Sequence, residues 1–218
     1  IGKEAFKNCK SLSNVNIPNS VTTIGEQAFA YCEKLTSMDI PNSLTTVESG
    51  TFRDCKKLTS VNIRSGVKTI GMEAFKNCKS LSNINIPNSV TSIGESAFYH
   101  CDSLTNINMP NSVKSIGRGA FAYCKKLVNV TIPNSLTTIE SGTFSQCRSL
   151  KSIIIPNSVK SIENSVFSGC LSLTEINIPN SVKSIGQSAF SLCHNLISIT
   201  LPNSLTTIES HCFWGCGS

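Results

Sequence analysis

Phenylalanine recurs along this chain at an unbroken interval of 23 residues. Its ten occurrences, which are all the phenylalanines in the 218 residues, run from Phe6 to Phe213. A cysteine follows each of them three positions later, from Cys9 to Cys216. A fixed period between about 20 and 50 residues indicates a stack of short coils, each packed only against its neighbours. The spacing therefore predicts one solenoid over the whole chain rather than one or two globular domains.

Each unit opens with a strand-like pattern. In the unit that begins at Leu81, Ile84 and Ile86 alternate with the polar Asn83 and Asn85. A period of two is typical of a half-buried strand, so we predict a strand over this stretch. Because the same positions return in every unit, the strands of successive coils are expected to pair in parallel, about 4.8 Å apart.

The remainder of the unit predicts three shorter pieces. Pro-Asn-Ser at 87–89 favours a turn, since proline presets φ and asparagine tolerates the left-handed region. Residues 90–93 predict a second, shorter extended piece. Residues 94–101, which carry Phe98, predict a single helical or 3₁₀ turn.

The composition argues against several classes of function. Charged residues make up 15% of the chain and the net charge is +6, which is not the dense basic surface of a nucleic-acid-binding protein. No apolar run approaches the roughly 20 residues that span a bilayer, so we expect no membrane insertion of this segment. His100, His194 and His211 fall in different coils. We therefore predict no catalytic residues, no metal site, no cofactor and no enzymatic activity.

The cysteine column has three interpretations. The first is a core ladder in which each thiol serves as a small buried hydrophobe beside phenylalanine. The second is disulfides, since adjacent coils lie close enough for bridging although parallel side chains face one another poorly. The third is metal binding, which the spacing of 23 does not favour. Cys212 stands outside the column, four residues before Cys216, and is read either as a small residue at an alanine position or as part of a metal or redox site.

The repeat also resembles a known family. The core Leu-x-x-Ile-x-Ile is similar to the leucine-rich repeat, and its continuation Ile-Pro-Asn-Ser-Val-Thr-Ser-Ile-Gly-x-x-Ala-Phe-x-x-Cys resembles the BspA-like (treponemal-type) subclass along the whole chain. Departures are few: Arg64-Ser65-Gly66 replaces Pro-Asn-Ser in one coil, and Glu48 is one of four glutamates at the glycine position. The resemblance implies a leucine-rich-repeat solenoid of 23-residue repeats, mainly β with short turns or 3₁₀ segments, with parallel strands on the concave face.

The organisation follows from the same pattern. We interpret residues 1–218 as a single repeat array of about nine and a half coils. Solenoids normally carry polar capping units, and neither end of this segment has one. We therefore expect the segment to belong to a longer protein that carries the caps and any anchor elsewhere.

The resemblance also implies where a ligand would bind. In leucine-rich repeats the variable strand positions between the core residues face the concave surface. The same positions fit a simpler interpretation, in which small polar residues only cover a solvated strand and the asparagines stack as amide ladders. The predicted binding residues are Asn16, Asp39, Asn62, Asn85, Asn108, Asn129, Lys151, Ile154, Glu175 and Ile197.

A second stripe of variable positions follows the cysteine column. It carries basic residues, among them Lys56 and Lys125, and is interrupted by Glu33 and Asp102. It is read either as a track for acidic glycans or as a solvated edge that keeps the array soluble.

Function can be predicted only in outline. The BspA-like resemblance implies a non-enzymatic protein-interaction or adhesion module at the cell surface or outside the cell, with a host matrix protein, a cell-surface protein or a glycan as partner. One alternative is a structural repeat that stacks end to end into fibres or a surface layer, since head-to-tail contacts give open filaments. A further alternative is an intracellular interaction scaffold.

Overall fold

The computed structural model describes residues 1–217 as a stack of parallel β coils. Its 15 strands fall into two sets, seven strands of three or four residues and eight strands of two residues. All pairings between coils are parallel and join residues 23 apart, as in Asp39 opposite Asn62. The 23-residue period of the sequence is thus the period of the solenoid, and the predicted leucine-rich-repeat architecture is confirmed.

Each longer strand begins two residues after the leading leucine of its coil. They form three parallel sheets, ordered β1-β3-β5, β7-β9 and β12-β14. In the coil of Leu150 only an isolated bridge between Ile154 and Thr131 occurs in place of a strand. The longer strands are β1 (Ser37–Ile40), β3 (Ser60–Ile63), β5 (Asn83–Asn85), β7 (Asn106–Asn108), β9 (Asn129–Thr131), β12 (Glu175–Asn177) and β14 (Ser198–Thr200).

The two-residue strands follow the Pro-Asn-Ser turns. They form two four-stranded sheets, ordered β2-β4-β6-β8 and β10-β11-β13-β15. These strands confirm the predicted second extended piece, although its paired part is shorter than the sequence suggested. They are β2 (Thr46–Val47), β4 (Thr69–Ile70), β6 (Ser92–Ile93), β8 (Ser115–Ile116), β10 (Thr138–Ile139), β11 (Ser161–Ile162), β13 (Ser184–Ile185) and β15 (Thr207–Ile208).

The predicted helical or 3₁₀ turn around each phenylalanine is wrong, because residues 1–217 contain no helix and form consecutive β-turns there. In one coil the amides of Ala97, Tyr99 and Cys101 donate to carbonyls three residues earlier, at 3.1–3.3 Å. The amide of Phe98, which lies between them, donates instead to Ala120 of the next coil, at 2.8 Å.

Two features exclude a helix from this segment. A helix would use its amides within the segment, whereas here every second amide bonds to the next coil and holds the stack together. In addition, Ser96 and His100 have φ values of 53° and 59°, a region that right-handed helices do not use. Repeated hydrogen bonding between coils therefore decides the local backbone.

The core consists of side-chain columns that run along the stack. Neighbouring phenylalanine rings are nearly parallel, with centroids 5.0 Å apart at Phe6–Phe29 and 5.8 Å apart at Phe144–Phe167. The leading leucines, such as Leu81 and Leu104, are fully buried beside them. A single 23-residue coil could not bury such a face, so each coil depends on its neighbours for its core.

Candidate binding surface

The outward side chains of the longer strands form one continuous surface, which we call the strand face. It comprises the residues one, two and four positions after each leading leucine. Within β1, for example, Ser37 and Asp39 are exposed whereas Met38 and Ile40 are buried. The ten residues predicted from the sequence all lie on this face and are all exposed: Asn16, Asp39, Asn62, Asn85, Asn108, Asn129, Lys151, Ile154, Glu175 and Ile197. That any of them binds a ligand stays a prediction, as does the concavity of this face.

The N-terminal part of the strand face is polar and ordered by strand pairing. Asp39, Asn62 and Asn85 occupy equivalent positions in three adjacent strands. The Nδ2 of Asn62 donates to Oδ1 of Asp39 at 3.0 Å. In the column two residues earlier in the repeat, Asn129 donates from Nδ2 to Oδ1 of Asn106 at 2.7 Å. Among the described residues these are separate pairs, and no hydrogen bond joins two asparagines of the column of Asn62, so the amide ladder suggested by the sequence is not formed there.

Arg64 completes this polar region and was missed as a site residue. Its guanidinium donates two hydrogen bonds to Asp39 of the preceding coil, from Nε to Oδ1 at 3.0 Å and from Nη2 to Oδ2 at 2.8 Å. These bonds hold the pKa of the Asp39 carboxyl below its ordinary value. The signal was visible in the sequence, since Arg64 replaces proline in one coil and Asp39 stands where the three nearest coils carry asparagine.

The C-terminal part of the strand face has a different chemistry. Ile154 and Ile197 are 85% and 82% exposed, although both are large apolar residues. Lys151 and Glu175 are exposed beside them and bring charge of both signs. Contiguous apolar patches rimmed by polar residues mark surfaces that bind other proteins, and these two isoleucines are the most exposed large apolar side chains on the strand face.

The two parts of the strand face lie far apart along the stack. Asp39 and Ile154 are separated by 115 residues, which is five periods of 23. The structure therefore does not bring the ten predicted residues into one compact site. It presents a polar region and an apolar region on the same surface.

The edge beside the cysteine column is charge-balanced rather than purely basic. The Nζ of Lys56 lies 3.1 Å from Oε1 of Glu33 in the preceding coil. Likewise, the Nζ of Lys125 lies 3.3 Å from Oδ2 of Asp102. The acidic residues that interrupt the basic stripe therefore pair with it, which favours the interpretation as a solvated edge.

Aromatic side chains add one local cluster to this edge. The rings of His100 and Tyr123 stack with centroids 4.5 Å apart, and Tyr99 packs against both. The Nζ of Lys76 lies 5.4 Å from the centroid of the Tyr99 ring. These side chains cover the turns around the phenylalanine column.

The cysteines belong to the core, which confirms the ladder interpretation. The thiols of ten cysteines from Cys32 to Cys216 are buried or half-buried, and most donate to the carbonyl of the phenylalanine 26 residues earlier, as Cys55 does to Phe29 at 3.1 Å. Burial raises the pKa of Cys32 to about 11 and that of Cys193 to about 12. Such thiols remain protonated near neutral pH and are poor nucleophiles or metal ligands.

Cys212 fits the simpler of its two interpretations. Its side chain is only 3% exposed and belongs to the same apolar core as the alanines of the equivalent column, such as Ala189. Burial raises its pKa to about 11. Within residues 1–217 no group of three or more His, Cys, Asp or Glu side chains could hold a metal ion. The part of the chain that the structure describes also contains no helix long and apolar enough to cross a membrane.

These columns and turns match a known repeat along the whole chain. The family described as BspA type leucine rich repeat region matches residues 1–128 and 114–218, in 6 copies. The chain belongs to the BspA-type leucine-rich-repeat family. Leucine-rich repeats of this kind are typically non-catalytic interaction modules. Membership of the family therefore indicates that this chain is a repeat module for protein interaction. A search of curated proteins finds no match.

Solved structures of bacterial leucine-rich repeat proteins support the same assignment. A leucine-rich repeat protein from Bacteroides ovatus ATCC 8483 is 35% identical with a TM-score of 0.76, over 92% of this chain and 60% of that one. The T. pallidum leucine rich repeat protein is 33% identical with a TM-score of 0.69, over 73% and 77% of the two chains.

A third relative is a protein of the cell surface. A leucine rich cell surface protein from Faecalibacterium prausnitzii A2-165 is 32% identical with a TM-score of 0.54, over 91% of this chain and 68% of that one. The chain thus spans between 60% and 77% of the length of these three leucine-rich-repeat proteins.

Proposed function

We propose that this array is a protein-binding adhesion module of a cell-surface or secreted protein, and that it binds its partner through the strand face. The partner is a host matrix protein or a protein of another cell surface. Membership of a repeat family that mediates protein interaction supports the proposed protein binding. The Faecalibacterium prausnitzii relative, a cell surface protein, supports the proposed location.

The observation that carries the proposal is the exposure of Ile154 and Ile197 on a mainly polar face. More than four-fifths of each isoleucine is exposed to solvent, so neither contributes to packing of the core. The free energy that burial of these side chains would provide is therefore not used within the chain itself. At the equivalent positions the preceding coils carry Thr131 and Thr174. Burial of both isoleucines in an interface would make them its energetic centre, with Lys151 and Glu175 as a charged rim.

The test compares binding of purified array variants to a panel of immobilised matrix and cell-surface proteins by surface plasmon resonance. Replacement of Ile154→Thr and Ile197→Thr together should weaken binding by about thirtyfold, as expected when about 2 kcal/mol of a hot spot is lost. Met72→Thr is the matched control, because Met72 is a 50% exposed apolar residue outside the strand face.

Two results would contradict binding through this face. One is retention of full affinity by the double variant. The other is equal weakening by Met72→Thr, which would mean that general surface hydrophobicity drives the interaction. Thermal unfolding of each variant serves as the folding control, since exposed side chains should change the melting temperature little.

Location and self-association need their own measurements. Antibodies against the array should label intact cells of the source organism as strongly as lysed cells. Labelling that appears only after lysis would favour the intracellular scaffold, and growth of particle size with concentration in light scattering would favour end-to-end assembly.

A further inference from the structure

A groove lined by asparagine runs beside the strand face, and we propose that it binds a neutral, extended β-linked polysaccharide chain. One wall is formed by the fourth position after each leading leucine, and the other by the asparagine of the Pro-Asn-Ser turn. We call this the asparagine groove. Ile154 takes the strand-side position of this groove in one coil, whereas Ile197 lies outside the groove. The proposal does not depend on the protein interaction.

The groove is open at three places that use the same repeat positions. The first has a volume of about 430 Å³, the second about 480 Å³ and the third about 670 Å³. Asparagines from both walls line each of them: Asn16, Asn19 and Asn42 in the first, Asn88, Asn108 and Asn111 in the second, and Asn157, Asn177, Asn180 and Asn203 in the third. Recurrence at equivalent positions shows that the groove is a property of the repeat.

The amides of the turn wall remain largely available for a ligand. Within residues 1–217, Asn111 accepts a bond from the amide of Asn134 at 3.0 Å, and Asn42 is 3.4 Å from Oγ of Ser65. The side chains of Asn88, Asn157 and Asn180 make no hydrogen bond with the described residues and are exposed. Each such amide offers two donors and an acceptor at one point, which suits a hydroxyl that both donates and accepts.

The charge of the groove selects against anionic ligands. Among the residues that line its three open places, Asp39 and Arg64 are the only charged ones, and they neutralise each other through a bidentate pair. No uncompensated lysine or arginine is available there for sulfate, carboxylate or phosphate groups. A neutral polyhydroxylated ligand fits this surface better than an acidic glycan or a nucleic acid.

The backbone of the groove argues against an added peptide strand. The longer strands along it bond to their neighbours above and below, as β3 does to β1 and β5, so this surface presents side chains rather than a free strand edge. Peptides that bind by strand addition need such an edge.

The repeat distance matches the size of a sugar unit. Successive coils are separated by the spacing of the phenylalanine rings, which ranges from 5.0 to 5.8 Å. One pyranose ring of an extended β-linked chain, measured between successive glycosidic oxygens, advances by a similar distance. Each sugar of such a chain can therefore meet one pair of groove asparagines, and affinity should rise with the number of sugars.

The experiment uses isothermal calorimetry with β-1,4-linked gluco- and manno-oligosaccharides of two to eight units. We expect the longest chain to bind at least tenfold more tightly than the disaccharide, because each further unit gains contacts within the same site. Asn88→Ala together with Asn111→Ala should weaken binding about tenfold through the loss of two amide contacts.

The matched control changes two asparagines on the same two coils but outside the groove. The residues changed in Asn83→Ala with Asn106→Ala lie on the strand face outside the groove, so this variant should keep oligosaccharide affinity within twofold of the parent, as should Ile197→Thr. Absence of binding by every neutral chain, binding only of a heparin-derived hexasaccharide, or equal weakening by both asparagine pairs would each overturn the proposal.

Discussion

Arg64 of one coil forms a bidentate ion pair with Asp39 of the coil before it, with Nε–Oδ1 and Nη2–Oδ2 distances of 3.0 and 2.8 Å. The two residues are 25 positions apart and therefore not in the same column. Arg64 occurs where the neighbouring coils carry Pro41 and Pro87, and Asp39 occurs where its own neighbouring coils carry asparagine, so two departures from the repeat in adjacent coils create this pair.

The first prediction concerns this pair. Arg64→Pro restores the usual turn residue and should raise the pKa of Asp39 towards its ordinary value, as measured by NMR titration of the carboxyl. Because the folded pKa is lowered, the stability that Asp39 contributes is present above about pH 3.9 and is lost as the pH falls through the folded pKa. The exposed pair should change the melting temperature at pH 7 only slightly.

Lys68→Ala provides the control, since Lys68 is exposed in the same coil without a bond to Asp39. An Asp39 pKa that is unchanged by Arg64→Pro would contradict the assigned cause.

The second prediction concerns the phenylalanine column. Phe98 is fully buried and stacks on Phe75 and Phe121, with centroids 5.3 and 5.2 Å away. Phe98→Ala should lower the free energy of unfolding by about 3–5 kcal/mol, measured by urea denaturation. Tyr99→Ala removes a half-buried ring from the next position and should cost clearly less. Similar losses for the two variants would mean that the column is not the main source of stability.

The third prediction compares two serines at the same repeat position. The hydroxyl of Ser89 donates to the carbonyl of Val67 at 2.6 Å, whereas the hydroxyl of Ser112 is buried without a partner among the described residues. Ser89→Ala should therefore lower the free energy of unfolding by about 1 kcal/mol, and Ser112→Ala should be close to neutral. The two variants can be compared by urea denaturation, and an equal loss in both would refute the distinction.

The fourth prediction concerns the thiol ladder at high pH. Burial raises the folded pKa values of the ladder thiols well above those of unfolded cysteine, as at Cys78 and Cys101. Their contribution to stability is complete below the unfolded pKa of about 8.5 and is lost as the pH rises above it. Each buried thiol adds up to about 1.4 kcal/mol per pH unit to this loss.

The measurement is urea denaturation in the presence of a phosphine reductant. The pH runs from about 7.5 to about 9.5, a range that spans the pKa of unfolded cysteine. A variant with Cys78→Ala and Cys101→Ala should lose stability less steeply with pH than the parent. The same slope in both proteins would contradict ionisation of the thiols on unfolding. Alkylation of the folded array should modify the exposed Cys9 first.

The columns of the core could be predicted because a strict period defines each residue's main neighbours. Phe98 must lie between Phe75 and Phe121 once coils stack in register, and the same reasoning placed Leu81 and the cysteines inside. The alternation of Ile84 and Ile86 with asparagines likewise predicted which side of the strand faces water. These inferences needed only the interval of 23 and the polarity of each position.

The backbone of the phenylalanine segment could not be predicted in this way. A short apolar run such as Ala97-Phe98 fits a helical turn as well as a β-turn, and local sequence does not say where its amides bond. The next coil determines the backbone conformation here, because the carbonyl of Ala120 accepts a hydrogen bond from the amide of Phe98. The same holds for Ser96 and His100, whose positive φ values follow from that arrangement.

The sequence by itself determined the solenoid, its period, its core columns and the set of outward strand positions, because each of these depends on contacts between equivalent residues 23 apart. Only the tertiary structure decided the contacts between non-equivalent residues. These include the ion pair of Arg64 with Asp39, the hydrogen bond from the Cys55 thiol to the Phe29 carbonyl and the two walls of the asparagine groove. Such contacts depend on how far the chain advances and rotates within one coil, and a repeat pattern carries no measure of that geometry.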